Sequence, residues 1–145
     1  MDKTDKKLLN LLQTDGRLTV DRLSKVLFIS KGEVSQRLDK MKDNGVIRSF
    51  SVNLDLDKLD LKIQAFVQID VAPNQKDEFY PYIKKIPNVL ECTCITGPYS
   101  MLLKVAFEAS SQLDDFINDI RKFGRTNTQV VFSIPLQRRG YLFDI

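Results

Sequence analysis

The stretch from Thr19 to Ile47, TVDRLSKVLFISKGEVSQRLDKMKDNGVI, constrains the fold most strongly, because it carries two amphipathic helices with almost no chain between them. Ser30 is placed to cap the second helix, and Glu33 three residues later can reach back to complete a capping box. Gly45 can adopt the left-handed conformation that ends a helix. The inward side of this helix is one apolar stripe at helical spacing, formed by Val34, Leu38 and Met41.

The helix before it has a matching pattern. Thr19 is suited to be its N-cap, and its apolar stripe consists of Leu23, Val26 and Leu27. Only Phe28-Ile29 links it to Ser30. Two short helices joined in this way predict a helix-turn-helix, in which the second helix enters the major groove of DNA.

The outward side of the second helix is polar between cations. It carries Gly32, Ser35, Gln36 and Asp39, flanked by Lys31, Lys40 and Lys42. Gln and Ser side chains can read base edges, while Lys neutralises phosphates. The alternative is an ordinary surface helix whose outer side is polar for solubility alone.

The positive charge of the chain is concentrated in the same region. Residues 1–50 contain 11 Lys and Arg against 7 Asp and Glu, whereas residues 51–145 contain 11 against 12. The surplus of cations therefore lies with the two-helix segment, as an anion-binding module requires.

The composition argues against several classes of function. The chain has no histidine, which removes His-dependent acid–base chemistry, nucleophile pairs and metal sites. No phosphate-binding glycine motif is present. Cys92 and Cys94 are predicted to be small hydrophobes on one side of a strand rather than a disulfide or metal site. With no long apolar run and no signal-peptide pattern, we expect a cytoplasmic protein without catalytic residues, cofactor or metal.

The first half of the chain is predicted to be a small domain over residues 1–50. Residues 2–14 form its first helix, which Asp2 or Thr4 caps, and Asp15-Gly16 ends it. The alternation after Gly45 predicts a strand over Ile47–Leu54. Residues 51–61 then connect to a second domain over residues 62–145.

The second half has the order strand, helix, strand, strand, helix, strand. The predicted strands are Ile63–Val71, Val89–Thr96, Met101–Phe107 and Thr126–Ile134, and the predicted helices are Gln75–Ile86 and Ser110–Lys122. Pro81 is awkward inside a helix, so the first of these should begin near it or kink, and Ser110 or Ser111 should cap the second. The order predicts an α+β chain with a ferredoxin-like βαββαβ domain. Two helices cover one side of its sheet, and self-association is the simplest way to cover the other.

This arrangement resembles the Lrp/AsnC (feast/famine) family of bacterial and archaeal transcription regulators over nearly the whole chain. The segments that carry the resemblance are DKKLLNLLQTDGRLTVDRLSKVLFIS, EVSQRLDKMKDNGVI, PNVLECTCITGPYSMLLKV and TNTQVVFS. The resemblance implies a winged-helix-like N-terminal domain that binds double-stranded DNA. It also implies a second domain, called RAM, that forms homodimers and octamers and in many members binds an amino-acid effector.

Given this resemblance, the expected DNA contacts are Ser30, Lys31, Ser35, Gln36, Arg37 and Lys40. Capping is the alternative role for Ser30, and a structural ion pair is the alternative for Arg37. The expected effector contacts are Gly97, Pro98, Tyr99 and Ser100. The family usually has acidic residues at two positions of this turn, where Pro98 and Ser100 stand here, so the turn either binds an altered ligand or serves backbone geometry alone.

Two other functions are compatible with the sequence. An enzyme is conceivable because ferredoxin-like domains also host catalysis, and haem-type absorbance or tetrapyrrole turnover would reveal one. The second is a DNA-independent module that senses a metabolite or only assembles, which a gel shift at low salt would separate from a DNA-binding regulator.

Overall fold

The chain divides into two units in the computed structural model, which describes residues 1–145. The first unit contains Met1–Asn53 together with Leu136–Ile145, and the second contains Leu54–Pro135. The five helices are α1 (Lys3–Thr14), α2 (Val20–Leu27), α3 (Lys31–Asp43), α4 (Lys76–Lys84) and α5 (Ser110–Ile120). The four strands are β1 (Ile63–Ile69), β2 (Val89–Cys94), β3 (Met101–Phe107) and β4 (Thr126–Val130). None of the helices has the length and apolar character needed to cross a bilayer.

The three helices of the first unit enclose a core of apolar side chains. Leu8 and Leu23 from α1 and α2 meet Val34 from α3 with no solvent exposure at any of the three, and Leu9 and Met41 complete the buried set. Asp2 caps α1 in a reciprocal capping box with Asp5, and the Thr19 hydroxyl accepts a hydrogen bond from the Arg22 N–H to cap α2. The predicted caps of α1 and α2 are therefore confirmed, with Asp2 rather than Thr4 at the start of α1. The predicted stripe of α2 is wrong at Val26, which is 41% exposed, whereas Leu23 is buried and Leu27 half-buried.

The segment Leu136–Ile145 is a further part of the first unit. The side-chain amide of Asn10, in α1, forms two hydrogen bonds with the backbone of Phe143. Asn10 Nδ2 donates to the Phe143 carbonyl at 2.9 Å, and Asn10 Oδ1 accepts from the Phe143 N–H at 2.8 Å. Gln13 Nε2 donates to the Tyr141 carbonyl at 2.7 Å. The observed division thus differs from the expected one, which placed residues 136–145 in the second domain.

The second unit is a four-stranded antiparallel sheet with the strand order β2-β3-β1-β4. Ala65, Val67 and Ile69 alternate inward along β1 and pack with the buried residues of β3. Phe79 of α4 and Phe116 of α5 join the same core, so both helices cover one side of the sheet. This is the predicted ferredoxin-like α+β arrangement. The helix-free side is mostly polar, with half-buried Phe66 and Leu102 among glutamines, Asn127 and Lys104.

One predicted strand is wrong. Residues 47–54 form no strand, and their apolar side chains Phe50, Val52 and Leu54 are between 55% and 79% exposed. The alternation of side chains in this segment is real, but a strand also needs a neighbour to accept and donate its backbone hydrogen bonds. None of the four strands of this chain pairs with it.

The ends of the other elements show smaller differences. Strands β1, β2 and β4 each stop before their predicted last residue, and α4 begins at Lys76, so Pro81 lies inside the helix. The predicted serine cap of α5 is wrong: Ala109 stands at that position, and Gln112 Oε1 accepts from the N–H groups of Glu108 and Ala109. Gln112 bonds the backbone N–H of the cap residue, as the third helical residue of a capping box does, whereas a serine cap would have accepted from N–H groups inside the first turn.

Gly124, which precedes β4, permits the closest backbone approach in the second unit. A Cβ added here would lie 1.9 Å from the carbonyl oxygen of Asp70, at the end of β1. Replacing Gly124 with Ala is therefore expected to destabilise this unit by about 2 kcal/mol or more, because the backbone must shift to accept the methyl group. Urea unfolding followed by tyrosine fluorescence measures the change in unfolding free energy.

The matched control is Gly16→Ala, where the added Cβ meets only the Leu12 carbonyl oxygen at 3.7 Å. We expect this control to change the unfolding free energy by less than about 1 kcal/mol. Equal effects of the two substitutions would contradict the steric reason given for Gly124.

Candidate nucleic-acid interface

Helix α3 is held in one rotation by its cap and its buried stripe. The Ser30 hydroxyl accepts a hydrogen bond from the Glu33 N–H at 3.0 Å, and Val34 and Met41 are buried against the other helices. At the other end Gly45 takes φ +71° and its N–H donates to the Lys42 carbonyl. These interactions decide which side chains of α3 face outward.

The reciprocal half of the predicted capping box is absent. The Glu33 carboxylate accepts from Arg37 Nε and Nη2, at 3.0 and 2.8 Å, instead of reaching back to the Ser30 N–H. A guanidinium one helical turn away offers a charge-assisted, two-point interaction, which is stronger than a hydrogen bond to one backbone N–H. The predicted box is therefore wrong in this half, although Ser30 is the cap.

Arg37 is the centre of an ion cluster between α1 and α3. Its Nη1 lies 2.7 Å from Asp2 Oδ2 and 2.8 Å from Asp5 Oδ1, in addition to its hydrogen bonds with Glu33. The three carboxylates raise the pKa of Arg37, with Asp2 the largest cause, so its charge is permanent. Its side chain is 24% exposed. Arg37 thus fastens α3 to the start of α1, as the structural alternative for this residue predicted.

Of the three lysines that the sequence placed beside the polar face, Lys42 lies 3.5 Å from Asp39 Oδ1 on the same helix, and Lys31 and Lys40 differ in their surroundings. Lys40 is exposed and takes part in none of the ion pairs of this unit. Lys31 Nζ, by contrast, lies 2.7 Å from Asp21 Oδ1, while Lys25 Nζ lies 2.9 Å from the other oxygen of the same carboxylate. The neighbouring lysines, Lys31 first, lower the pKa of Asp21 to about 2, so this carboxylate is ionised at neutral pH.

The remaining predicted contacts lie on the same side of α3. Gln36 is exposed and Ser35 is half-buried, and neither forms a side-chain hydrogen bond within the protein. Gln36 lines an open groove of about 710 Å³, together with Met1, Ser30, Gly32, Arg37, Lys40 and the carboxylates of Asp2, Asp5 and Glu33. A Cβ at Gly32 would meet nothing closer than the Ser30 hydroxyl at 3.9 Å, so the fold itself does not require a glycine there. The three carboxylates of the groove are the ones that pair with Arg37, so Lys40 is the side-chain cation of this groove whose charge is not matched by an ion pair.

The predicted effector turn connects β2 to β3. Gly97 adopts φ +105°, and the Ser100 hydroxyl accepts from the Val71 N–H at 2.8 Å, which ties the turn to the end of β1. Arg125 Nη2 donates to the Pro98 carbonyl at 2.6 Å, and its guanidinium carbon lies 4.6 Å from the centre of the Tyr99 ring. The hydrogen-bond partners of the Ser100 hydroxyl are therefore backbone groups at the end of β1.

Three charged residues near these sites were not predicted. Asp70 Oδ2 lies 3.7 Å from Arg125 Nε and brings a carboxylate close to the turn that lacks acidic residues of its own. Asp21 reaches Lys31 across the tight link between α2 and α3. The signal for Asp21 was present in the sequence, since an acid in the first turn of α2 follows the Thr19 cap, but its partner on the next helix was not evident from spacing.

Comparison with known proteins agrees with this architecture. The profile of the Lrp/AsnC ligand binding domain matches residues 64–141, and the profile of a winged helix-turn-helix DNA-binding domain matches residues 1–48. The HTH-type transcriptional regulator YezC of Bacillus subtilis is 35% identical to this chain over 133 residues, which are 92% of this chain and 94% of YezC.

Comparison with solved structures also finds transcriptional regulators with this fold. The structure of LrpC from Bacillus subtilis matches with a TM-score of 0.90 at 28% identity and covers 95% of this chain and 99% of LrpC. The transcriptional regulator NMB0573 from Neisseria meningitidis, solved as a complex with L-Met, matches with a TM-score of 0.87 at 28% identity, over 96% of this chain and 94% of that one. The resemblance noted from the sequence is confirmed: the chain belongs to the Lrp/AsnC family of helix-turn-helix transcriptional regulators.

Proposed function

We propose that this regulator places α3 in the major groove of its operator and reads bases through Gln36 and Ser35. The observation that carries the proposal is the orientation of α3, whose apolar stripe is buried while Gln36 and Lys40 are exposed and free of internal partners. Unpaired polar side chains on a rigid helix can exchange their bound water for base edges or phosphates without first breaking an interaction in the protein.

The six proposed DNA contacts divide by role. Lys40 and Lys31 contact phosphates, and Gln36 and Ser35 read bases. Ser30 donates its hydroxyl hydrogen to a phosphate while its oxygen continues to cap α3, which a hydroxyl can do because it is both donor and acceptor. Arg37 mainly positions α3, because it keeps its ion pairs with Asp2, Asp5 and Glu33 when DNA binds. The one guanidinium N–H that these pairs do not use can donate to a phosphate.

We further propose that the regulator acts as a homodimer through its second unit, with octamers as a higher assembly. Support comes from the exposed apolar residues Val130, at the end of β4, and Phe132, just after it, since exposed apolar surface marks sites of association. A symmetric dimer would present two α3 helices to one side of a duplex, at half-sites one helical turn or a multiple apart. Action in the cytoplasm and absence of catalysis are part of the same proposal.

The proposed interaction of Lys40 with phosphate is tested by salt dependence. Replacing Lys40 with Ala should flatten the plot of log affinity against log salt concentration by about 0.9 for one phosphate no longer neutralised, since each neutralised phosphate releases counterions. Fluorescence anisotropy over a potassium chloride series measures the slope. Lys84→Ala, an exposed lysine in the last turn of α4, is the matched control. An unchanged slope for Lys40→Ala would remove this residue from the phosphate interface.

The base contact of Gln36 is tested by discrimination between sequences. Binding sites are first selected from random DNA with the unaltered protein and should contain two half-sites. Gln36→Ala should then lower affinity for the selected site about tenfold, because one good base contact supplies about 1–3 kcal/mol of discrimination, and leave affinity for scrambled DNA unchanged. A uniform decrease on both duplexes would count against base reading by Gln36.

An amino-acid effector at the turn Gly97–Ser100 is also proposed. L-Met is bound to the related regulator NMB0573, and here Asp70 and Arg125 supply both charges that a zwitterion needs beside Pro98 and Tyr99. The Tyr99 ring, stacked near Arg125, offers the apolar surface for an effector side chain.

Tyr99→Ala should therefore weaken binding of the effector about tenfold or more, since it removes a large apolar surface. Calorimetric titration with each common amino acid identifies the ligand and measures the decrease in affinity. Tyr141→Ala in the C-terminal segment of the first unit is the matched control. If no amino acid binds the unaltered protein, the effector proposal is rejected while the DNA proposal stands.

A further inference from the structure

Asp21 is the one carboxylate that contacts cations of both helices of the helix-turn-helix. It lies in the first turn of α2, and its two oxygens lie 2.7 Å from Lys31 Nζ and 2.9 Å from Lys25 Nζ. Lys31 is the first residue of α3. A negative charge thus lies at the point where the proposed recognition helix begins.

The fold has little need of this ion pair. The side chains of Asp21, Lys25 and Lys31 are 45%, 68% and 67% exposed, and ion pairs that are so well solvated add little to stability. The link between the helices is secured instead by Leu23 and Val34 in the core and by the Ile29 N–H, which donates to the Ser24 carbonyl. The role of the Asp21–Lys31 pair must therefore be sought at the surface.

A phosphate that approaches Lys31 meets Asp21 at the same ammonium group. Either the phosphate displaces the carboxylate, or the two anions share Lys31 and repel each other. In both cases the phosphate gains less free energy from Lys31 than from Lys40, which has no such partner. This penalty is independent of base sequence, because it acts on the phosphate interaction alone.

We propose that Asp21 tunes DNA affinity: it restrains Lys31 and so weakens the sequence-independent, phosphate-dependent part of binding. The inference rests on the proposed function, in which Lys31 contacts phosphate and Gln36 reads bases. Asp21 lowers the affinity for all duplexes alike, and the selected operator must then be bound through its base contacts. Because every duplex loses the same factor, the ratio of operator affinity to random-DNA affinity is unchanged, and the expected effect is a larger fraction of regulator that is free of DNA.

The test is Asp21→Asn in the full chain, which removes the charge and keeps the size of the side chain. On random-sequence duplex the affinity at about 0.1 M salt should rise by up to about eightfold, and the salt slope should steepen by about 0.9, as one further neutralised phosphate predicts. Asp43→Asn is the matched control: the same change of charge at an exposed residue near the end of α3 that forms no ion pair. An equal increase for Asp43→Asn would show a general charge effect and overturn the proposal.

A double-mutant cycle identifies the partner. In a Lys31→Ala background, Asp21→Asn should change affinity by less than about twofold, since the restrained group is gone. A persisting full increase would mean that Asp21 acts through Lys25 or by direct repulsion, and the restraint of Lys31 would be rejected.

A second measurement needs no DNA. Acetylation of lysines by a limiting amount of acetic anhydride, read by peptide mass spectrometry, should be slower at Lys31 than at Lys40, and Asp21→Asn should raise the Lys31 rate by about threefold or more while the Lys40 rate stays constant. Unchanged Lys31 reactivity overturns the restraint whatever the DNA result. If neither the unaltered protein nor Asp21→Asn binds DNA at low salt, both the proposed function and this inference are rejected. If both proteins bind DNA with equal salt slopes, only the inference is rejected.

Discussion

The burial of one apolar stripe on α3 is the constraint on which the proposed interface depends. Val34 and Met41 enter a core that Leu8 and Leu23 complete, and a helix fixed along one side can present only one set of residues on the other. A rotation of α3 by about 100° would put Arg37 or Ser35 in the place of Gln36. The caps at Ser30 and Gly45 fix the length of the helix, and the Arg37 cluster ties α3 to α1, so three different kinds of interaction hold the same geometry.

Ion pairing decides which cations of α3 are free to meet an anion. The surplus of cations in residues 1–50 suggested a basic surface, yet Arg37 is enclosed by three carboxylates and Lys31 shares Asp21 with Lys25. Lys40 therefore has a larger share in the proposed phosphate binding than its single charge suggests. Paired cations contribute to the position of α3 more than to phosphate attraction, because their charge is partly neutralised before DNA arrives.

In the second unit, the surroundings of the turn between β2 and β3 also depend on contacts between distant residues. Ser100 is held by β1, and Gly97 supplies the positive φ that the connection between β2 and β3 requires. Because the turn itself has no acidic residue, the charges beside it come from Asp70 and Arg125, which are distant in sequence and become neighbours only through the β1–β4 pairing. In the proposed effector site, Asp70 stands in for the acidic side chains that the turn lacks.

The sequence by itself determined the helix-turn-helix, the βαββαβ order and the outward residues of α3, because hydrophobic periodicity and capping are local and each helix carries its own signal. Tertiary structure alone decided the pairing of Asp21 with Lys31, the ion cluster of Arg37 and the attachment of Phe143 to Asn10, whose residues lie 133 positions apart. It also decided that residues 47–54 are not a strand. Ion pairs and strand pairing depend on which segments meet in space, and no local pattern contains that information.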